Sequence, residues 1–253
     1  GASVAARARR LDAGAEIIMF ERGPHVSFSN CSLPYYLSGV VGDSDALLMM
    51  SPEKFKKSYD IDARVNSEVT AINRDKKTIE IKNTLTGDVH EEAYDVLVMA
   101  PGASPVKPRS IGGIDGKNVY TVRNVADIVH LKDGLEAAGA ENTKAGKKVT
   151  VVEAMSQILA PFDYDMVQML HKELLDNGVS LIVEDGVKTI EEKQITLASG
   201  KTVPADAVIL AIGVAPETGL AKAAGLEIGE TGGILVDHNY RTSDKNIYAV
   251  GDA

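Results

Sequence analysis

The amino-acid sequence predicts an α/β protein built from two related halves. Two segments about a hundred residues apart, 94–103 and 205–214, share one pattern: an acidic residue, a short apolar strand, then a small residue and a glycine. A helix-forming stretch followed by a short apolar strand opens the chain, and this order is half of a βαβ unit. The 253 residues, 44% hydrophobic and 25% charged, suffice for one large domain or two of ordinary size.

The first predicted element is a helix over 4–11, which is rich in Ala and Arg and contains no Gly or Pro. A strand over 16–20 follows. In a βαβ unit the first strand and its glycine-rich turn precede such a helix, so Gly1 is expected to be the last glycine of that turn. Glu21 stands directly after the second strand, where dinucleotide-binding folds place a carboxylate that accepts hydrogen bonds from ribose hydroxyls. The alternative is a solvated residue that ends a strand.

One amphipathic helix is predicted in the second half of the chain, over 163–177. Met166, Leu170 and Leu174 lie at four-residue spacing, and Asn177-Gly178 supplies the stop signal. The other predicted elements are, in order, a hairpin over 69–89 that turns near 75–76, a linker at 105–108, strands over 147–152 and 179–183, and a hairpin over 194–203.

Composition excludes several classes of function. Thirty-six Asp and Glu against 27 Lys and Arg give a net charge of −9, so no nucleic-acid partner is expected. The apolar runs are far shorter than the roughly 20 residues that cross a bilayer, so no membrane span is predicted. A single cysteine cannot form an intrachain disulfide, and it has no His or Cys partner at ligand spacing. A cytoplasmic protein without a metal site is therefore expected, and the abrupt ends predict a piece of a longer chain.

Cys31 stands in the run 27–36 among small polar residues rather than inside an apolar segment. Most single cysteines are inert packing residues, but these surroundings favour an accessible thiol. Ten residues separate Cys31 from Glu21. The sulfur is therefore expected close to a cofactor that lies over this edge of the sheet.

The segments 2–11, 20–22 and 27–36 resemble the coenzyme A disulfide reductases and the related NAD(P)H-dependent persulfide reductases. These are a branch of the FAD-containing pyridine nucleotide-disulfide oxidoreductases. The resemblance continues through 100–105, 211–217 and 242–253 and covers nearly the whole chain.

The resemblance implies an α/β fold of two Rossmann-like three-layer domains, the second inserted in the first, with β-hairpin and meander additions. The FAD-binding domain is expected over 1–107 and 205–253, and an NAD(P)-binding-like domain over 108–204. The C-terminal dimerisation domain of the family is not within this sequence, and a homodimer is expected of the full-length protein.

The resemblance also implies a role for individual residues, with Cys31 as the redox-active nucleophile. The residues expected to bind FAD or NAD(P)H are Gly1, Glu21, Arg22, Val69, Ala100, Gly102, Glu153, Gly213, Gly251 and Asp252. The residues expected to bind coenzyme A are Ser3, Arg7, Arg10, Ser27 and Asn30. Apart from the resemblance, Arg7 and Arg10 are equally well explained as a solvated basic face of the helix.

The second half departs from the family pattern. A nicotinamide-binding unit has a strand, a glycine-rich turn, a helix and a second strand that ends in an acidic residue. Here the strand over 148–152 runs straight into Glu153, and the glycine turn and its helix are missing. Weak binding of the nicotinamide cofactor is therefore expected, because no backbone N–H groups at a helix N-terminus receive the pyrophosphate.

The predicted function is electron transfer from NAD(P)H through FAD to Cys31, which reduces coenzyme A disulfide or a persulfide. Two alternatives stay open. An NADH oxidase or peroxidase would cycle Cys31 through sulfenic acid, although such relatives usually carry a histidine on the first helix and this chain does not. A non-catalytic nucleotide-binding fragment is the other alternative, since both glycine-rich turns are incomplete.

Overall fold

The computed structural model describes residues 1–137 and 148–253, which form two compact units. Unit 1 comprises 1–32, 43–105 and 213–253, and unit 2 comprises 33–42 and the described part of 106–212. The second passage of the chain from unit 1 to unit 2, at 105–106, lies within the predicted linker. The limits of the units differ from those of the expected domains at 33–42, 106–107 and 205–212. The assignment of one cofactor to each domain stays a prediction.

The described residues contain six helices and eighteen strands. The helices are α1 Ala2–Leu11, α2 Leu33–Leu37, α3 Pro52–Tyr59, α4 Val125–Ala137, α5 Tyr164–Asp176 and α6 Gly219–Ala223. The strands of unit 1 are β1 Ile18–Phe20, β2 Ser27–Phe28, β3 Leu48–Met50, β4 Asp62–Arg64, β5 Ser67–Asn73, β6 Thr78–Asn83, β7 Val89–Ala93, β8 Leu97–Met99, β9 Ala103–Pro105, β17 Val214–Pro216 and β18 Ile247–Ala249. Those of unit 2 are β10 Val119–Tyr120, β11 Thr150–Val152, β12 Ser180–Ile182, β13 Val187–Ile190, β14 Gln194–Leu197, β15 Thr202–Pro204 and β16 Val208–Ile209.

Unit 1 combines parallel strand pairs with antiparallel additions. Strand β1 pairs in parallel with β4, and β18 pairs in parallel with β8. The antiparallel parts are the β2–β3 pair, the β9–β17 ribbon and the β5–β6–β7 meander. The predicted hairpin over 69–89 is therefore part of a three-stranded meander, and the turn between β5 and β6 lies at 74–77, at the predicted position.

Two apolar clusters hold unit 1 together. In the first, Ala5 of α1 and Phe55 of α3 pack on Ala63 of β4 and on Ile61, which directly precedes β4. The second lies beside β8 and β18 and includes Met99, Ala221, Leu226, Ile234, Ile247 and Ala249. Helix α3 starts where it does because the Ser51 hydroxyl accepts a hydrogen bond from the Lys54 N–H at 3.2 Å, with Pro52 in the first turn.

Unit 2 contains a complete βαβ crossover. Strand β11 is joined by α5 to β12, with which it pairs in parallel. The β13–β14–β15 meander contains the hairpin predicted over 194–203. Of the strand predicted over 147–152, residues 150–152 form β11, residues 148 and 149 are not in a strand, and Lys147 lies outside the described residues. One buried cluster among the described residues of this unit comprises Ile114, Val119, Ile190, Ile195 and Leu197.

The predicted apolar face of α5 is wrong by about one residue. Val167 is the buried residue of this helix, whereas Met166 is 56% exposed and Leu170 is 37% exposed. The third residue of the predicted stripe, Leu174, is half-buried. Residues spaced by four positions shift gradually around a helix that has 3.6 residues per turn. Residues at this spacing therefore do not all stay on the covered side of the helix, which is the side of Val167.

Candidate cofactor and thiol site

The carboxyl ends of β8 and β18 meet at one edge of unit 1. Met99 is paired with Ala249, and the Val250 N–H donates a hydrogen bond to the Met99 carbonyl at 3.0 Å. Ala100 and Gly251 therefore leave the same edge of a parallel pair, the position where open α/β sheets bind their ligands. The start of α1 lies there too, because a methyl group placed on Gly1 would lie 3.6 Å from the Ala100 Cβ.

Three predicted glycines have the positive φ that favours glycine. Gly102 has φ +75°, Gly213 has φ +99° and Gly251 has φ +82°. A methyl group on Gly213 or Gly251 would meet nothing within 4 Å. The backbone at Gly251 is therefore open to close approach by a ligand, beside the exposed Asp252.

Glu21 is fixed at the carboxyl end of β1. Its backbone N–H donates to the Arg64 carbonyl at 2.9 Å, and its own carbonyl accepts from the Ser67 N–H at 2.9 Å. The Oε1 atom accepts a hydrogen bond from the Gly23 N–H at 2.8 Å, which orients the half-buried carboxylate. Val69 lies on β5, two residues beyond Ser67 and half-buried.

These residues fit an FAD molecule. The first N–H groups of the ten-residue helix α1 have no side-chain cap, since Gly1 occupies the cap position. An uncapped N-terminus carries the positive end of the helix dipole and suits a pyrophosphate. The N-terminus of α1 lies against Ala100. The Glu21 carboxylate lies at the end of β1, where a ribose is expected.

Cys31 lies in a tight turn that unit 1 holds in place. The thiol belongs to the 3₁₀ turn Asn30–Ser32 and is exposed, as predicted. The hydroxyls of Ser29 and Ser32 are hydrogen-bonded at 2.8 Å, and the Ser32 N–H donates to the Ser29 carbonyl at 3.1 Å. The Ser29 N–H donates to the carbonyl of the fully buried Leu47 at 2.9 Å. The sulfur is therefore presented to solvent from an anchored turn.

The predicted coenzyme A residues of α1 share one exposed face. Ser3, Arg7 and Arg10 lie at i, i+4 and i+7, and all three are exposed. Among the residues that the structure describes, neither Arg7 nor Arg10 has a hydrogen bond or ion pair with another side chain. The same helix packs through Ala2 and Ala5 on a cluster that includes Val26, the residue before Ser27. Asn30 is exposed, and Ser27 is half-buried on β2.

Arg9 has a different role, which the sequence did not indicate. Its guanidinium donates to the carbonyls of Tyr59, Ala13 and Asp60, each at 2.8 Å. These carbonyls lie at the C-terminal ends of α1 and α3, so Arg9 caps both helices. The only sequence signal is a cationic residue in the last turn of α1, which its neighbour Arg10 shares.

A second unpredicted residue, Glu217, connects two predicted cofactor residues. Its carboxylate lies 3.5 Å from the guanidinium of Arg22, and it accepts a hydrogen bond from the Ser104 hydroxyl. Its backbone N–H donates to the Gly102 carbonyl at 2.9 Å. Arg22 follows Glu21, so Glu217 lies between the ribose end of the site and the turn after β8. The segment 211–217 carries the family resemblance, but its pattern did not single out this residue.

The start of α5, in the described part of unit 2, does not suit the pyrophosphate of a nicotinamide cofactor. Glu153 follows β11 as predicted, and its Oε1 accepts the Met155 N–H at 2.9 Å. The connection 153–163 contains no glycine. Helix α5 then begins after Asp163 with Asp165 in its first turn, and these carboxylates oppose binding of an anion.

The described residues show neither a metal site nor a membrane-spanning helix. No group of three or more His, Cys, Asp or Glu side chains within 1–137 and 148–253 could hold a metal ion. No helix in the same residues has the length and apolar content needed to cross a bilayer.

Comparisons with known proteins agree with this geometry. The coenzyme A disulfide reductase of Staphylococcus aureus is 31% identical over 269 residues, and that of Staphylococcus epidermidis is 29% identical; each alignment covers 100% of this chain and 60% of the relative. A reduced CoADR-RHD protein from Bacillus anthracis is 44% identical with a TM-score of 0.94, covering 100% of this chain and 49% of that one. An NAD-dependent persulfide reductase from A. fulgidus is 35% identical with a TM-score of 0.91, covering 99% and 50%.

These similarities confirm the predicted α/β class with its Rossmann-like fold, and they confirm the resemblance on which the residue roles depend. The chain spans about 60% of the length of the curated relatives it matches. The family profile described as Pyridine nucleotide-disulphide oxidoreductase matches residues 1–253. The chain therefore belongs to the pyridine nucleotide-disulphide oxidoreductase family.

Proposed function

We propose that this chain carries the flavin and thiol centres of an NAD(P)H-dependent flavoprotein that reduces coenzyme A disulfide or a persulfide. The observation that carries the proposal is the exposed thiol of Cys31 on its anchored turn. The names of the relatives, which are coenzyme A disulfide reductase and NAD-dependent persulfide reductase, support this class of substrate. A homodimer and a cytoplasmic location remain predictions for the full-length protein.

The proposed FAD site lies at the sheet edge of unit 1. Glu21 accepts hydrogen bonds from the adenosine ribose, and the first N–H groups of α1 receive the pyrophosphate. The open backbone at Gly251 and the neighbouring Asp252 hold the ribityl and phosphate region. When bound, FAD supplies the two-electron transfer that links NAD(P)H oxidation to cleavage of a disulfide.

Cys31 performs the exchange chemistry with the substrate. Its thiolate attacks one sulfur of coenzyme A disulfide, the S–S bond of the substrate breaks, and one coenzyme A thiolate leaves. A mixed disulfide then joins Cys31 to the second coenzyme A. Two electrons and a proton are needed to release that coenzyme A as a thiol and to restore the Cys31 thiolate. One cysteine suffices because the substrate provides the other sulfur.

The basic face of α1 is the proposed phosphate contact. Arg7 and Arg10 are exposed on the side that also carries Ser3. Guanidinium groups bind phosphate by paired hydrogen bonds, and coenzyme A carries several phosphate groups. Ser27 and Asn30 precede Cys31 by four residues and one residue, so we assign them to the part of coenzyme A near its sulfur.

The test separates the thiol centre from the nicotinamide site. The chain is incubated with FAD and passed through a desalting column, and absorbance at about 450 nm measures the retained flavin. Release of thiol from coenzyme A disulfide is then followed with a thiol-reactive dye, using NADH, NADPH or dithionite as the electron donor. Wild type and Cys31→Ser are compared.

We expect both proteins to retain FAD and Cys31→Ser to lose nearly all thiol release, whichever donor is used. Turnover with dithionite but not with NADH or NADPH is expected if the carboxylates at the start of α5 prevent nicotinamide binding. Unchanged thiol release in Cys31→Ser would remove that residue from the reaction. A colourless wild-type protein would instead favour the non-catalytic fragment, and oxygen consumption without thiol release would favour the oxidase.

A further inference from the structure

The carboxylate of Glu217 is held in place by the strand that precedes it and by neighbouring residues. Glu217 follows β17, which pairs with β9 in antiparallel register through Pro216 and Ala103. Its backbone N–H is bonded to the Gly102 carbonyl at 2.9 Å, and its Oε1 atom accepts the Ser104 hydroxyl. The side chain is 34% exposed, so one side of the carboxylate remains open towards Arg22.

Arg22 lacks such support of its own. Its side chain is 59% exposed, and its ion pair with Glu217 at 3.5 Å joins residues 195 positions apart in the sequence. A long exposed side chain loses rotamer freedom when it binds a ligand. An exposed ion pair adds little to the stability of a protein, so the free energy of folding gives no reason for this pair.

We infer that Glu217 is a positioning residue that holds the Arg22 guanidinium ready to contact the adenosine moiety of FAD. The inference rests on the FAD site proposed above. Arg22 follows the ribose-binding Glu21, and a guanidinium can lie flat on an adenine ring or donate to the neighbouring phosphate. By fixing Arg22 before the ligand arrives, Glu217 lowers the entropic cost of binding. The same residue connects the adenosine end of the site with the turn at Gly102.

The experiment measures FAD affinity and the thermal stability of the flavin-free protein in the same variants. Glu217→Gln keeps the shape of the side chain and an oxygen that accepts the Ser104 hydroxyl, but it removes the charge that attracts Arg22. Arg22→Met removes the guanidinium, and the double variant closes a mutant cycle. Glu230→Gln is the matched control, since Glu230 is an exposed acid of the same unit.

We expect Glu217→Gln to bind FAD about three- to tenfold more weakly, with the melting temperature of the flavin-free protein unchanged. The double variant is expected to bind FAD no more weakly than Arg22→Met alone, because Glu217 acts through Arg22. Glu230→Gln should match wild type. Additive losses in the double variant, or an equal loss of melting temperature and affinity in Glu217→Gln, would assign Glu217 a structural role and overturn the inference.

Different results would contradict the proposed function and the inference about Glu217. Wild type that binds no FAD would overturn the proposed function and this inference together. Wild type that binds FAD as tightly as Glu217→Gln would overturn only the inference. If Glu217→Gln does not fold, Arg22→Met tests the inference, because Arg22 is exposed. Unchanged FAD affinity in that variant would mean that Arg22 does not contribute to FAD binding, and the inference about Glu217 would be overturned.

Discussion

Replacement of Arg74 by Met should destabilise unit 1, because Arg74 joins three separate segments. Its Nε donates to Asp244 Oδ2 at 2.8 Å, and another guanidinium nitrogen donates to the Gly225 carbonyl at 3.1 Å. Arg74 lies in the turn between β5 and β6, Gly225 follows α6, and Asp244 precedes β18. The substitution therefore releases the meander from two neighbouring segments and leaves a carboxylate without its cation.

The expected loss of stability in Arg74→Met follows from the burial of the Arg74 and Asp244 side chains. The side chain of Asp244 is 13% exposed and that of Arg74 is 33% exposed. Removing one partner of a fully buried ion pair costs about 3–5 kcal/mol, and partial exposure of Arg74 lowers our expectation to about 2 kcal/mol. For a domain of this size that loss lowers the melting temperature by about 4–8 °C.

The dependence on pH gives the prediction a second test. The hydrogen bond from Arg74, together with one from the Asn246 N–H, holds the pKa of Asp244 below its usual value of 3.8. A lowered pKa in the folded state stabilises the protein above the usual value, and that contribution disappears as the pH falls through the folded-state pKa. The difference between wild type and Arg74→Met should therefore be complete at neutral pH and shrink in acid.

Urea unfolding followed by circular dichroism measures the difference. Lys56→Met is the control, because the ion pair of Lys56 with Asp60 is exposed on both sides, at 66% and 70%. We expect no resolvable change in that variant. Equal losses in the two variants, or a difference between wild type and Arg74→Met that does not change with pH, would refute the assignment of the stability to this ion pair.

Two further predictions concern backbone contacts. Arg9→Met should destabilise unit 1 by about 1–2 kcal/mol, because helix C-terminal carbonyls lose a charged donor, while Arg10→Met leaves the unfolding midpoint in urea unchanged. Gly113→Ala should destabilise unit 2 by about 3 kcal/mol, since its new methyl would lie 2.0 Å from the Ile190 carbonyl oxygen. Gly178→Ala has the same φ of +76° with nothing within 4 Å, so it should cost only about 1 kcal/mol; equal losses in the two glycine variants would contradict the steric argument.

Local patterns predicted the elements well where one residue type dominates a short segment. Helix α1 follows from its Ala-rich run, and the β5–β6 hairpin follows from alternating apolar residues on both sides of a polar turn. The exposed thiol was predicted from local sequence too, since the small polar neighbours of Cys31 favour an accessible sulfur. These features depend on contacts within a few residues of one another.

The features that the sequence missed depend on distant contacts. Arg22 and Glu217 are 195 positions apart, and Arg9 reaches carbonyls 50 and 51 positions away. Neither contact changes the residue pattern near its partners in the sequence, so only the folded structure shows it. The face of α5 was missed for another reason, because Met166 and Val167 are both apolar and their spacing cannot tell which of them is covered.

Cys31, which the anchored turn presents to solvent, is the one cysteine of this chain, and this limits the disulfides that the chain can form. With one sulfhydryl among its residues, the chain cannot bridge two of its own cysteines, so every disulfide it makes joins it to another molecule. The small thiols and disulfides around it therefore determine whether the sulfur is free or capped.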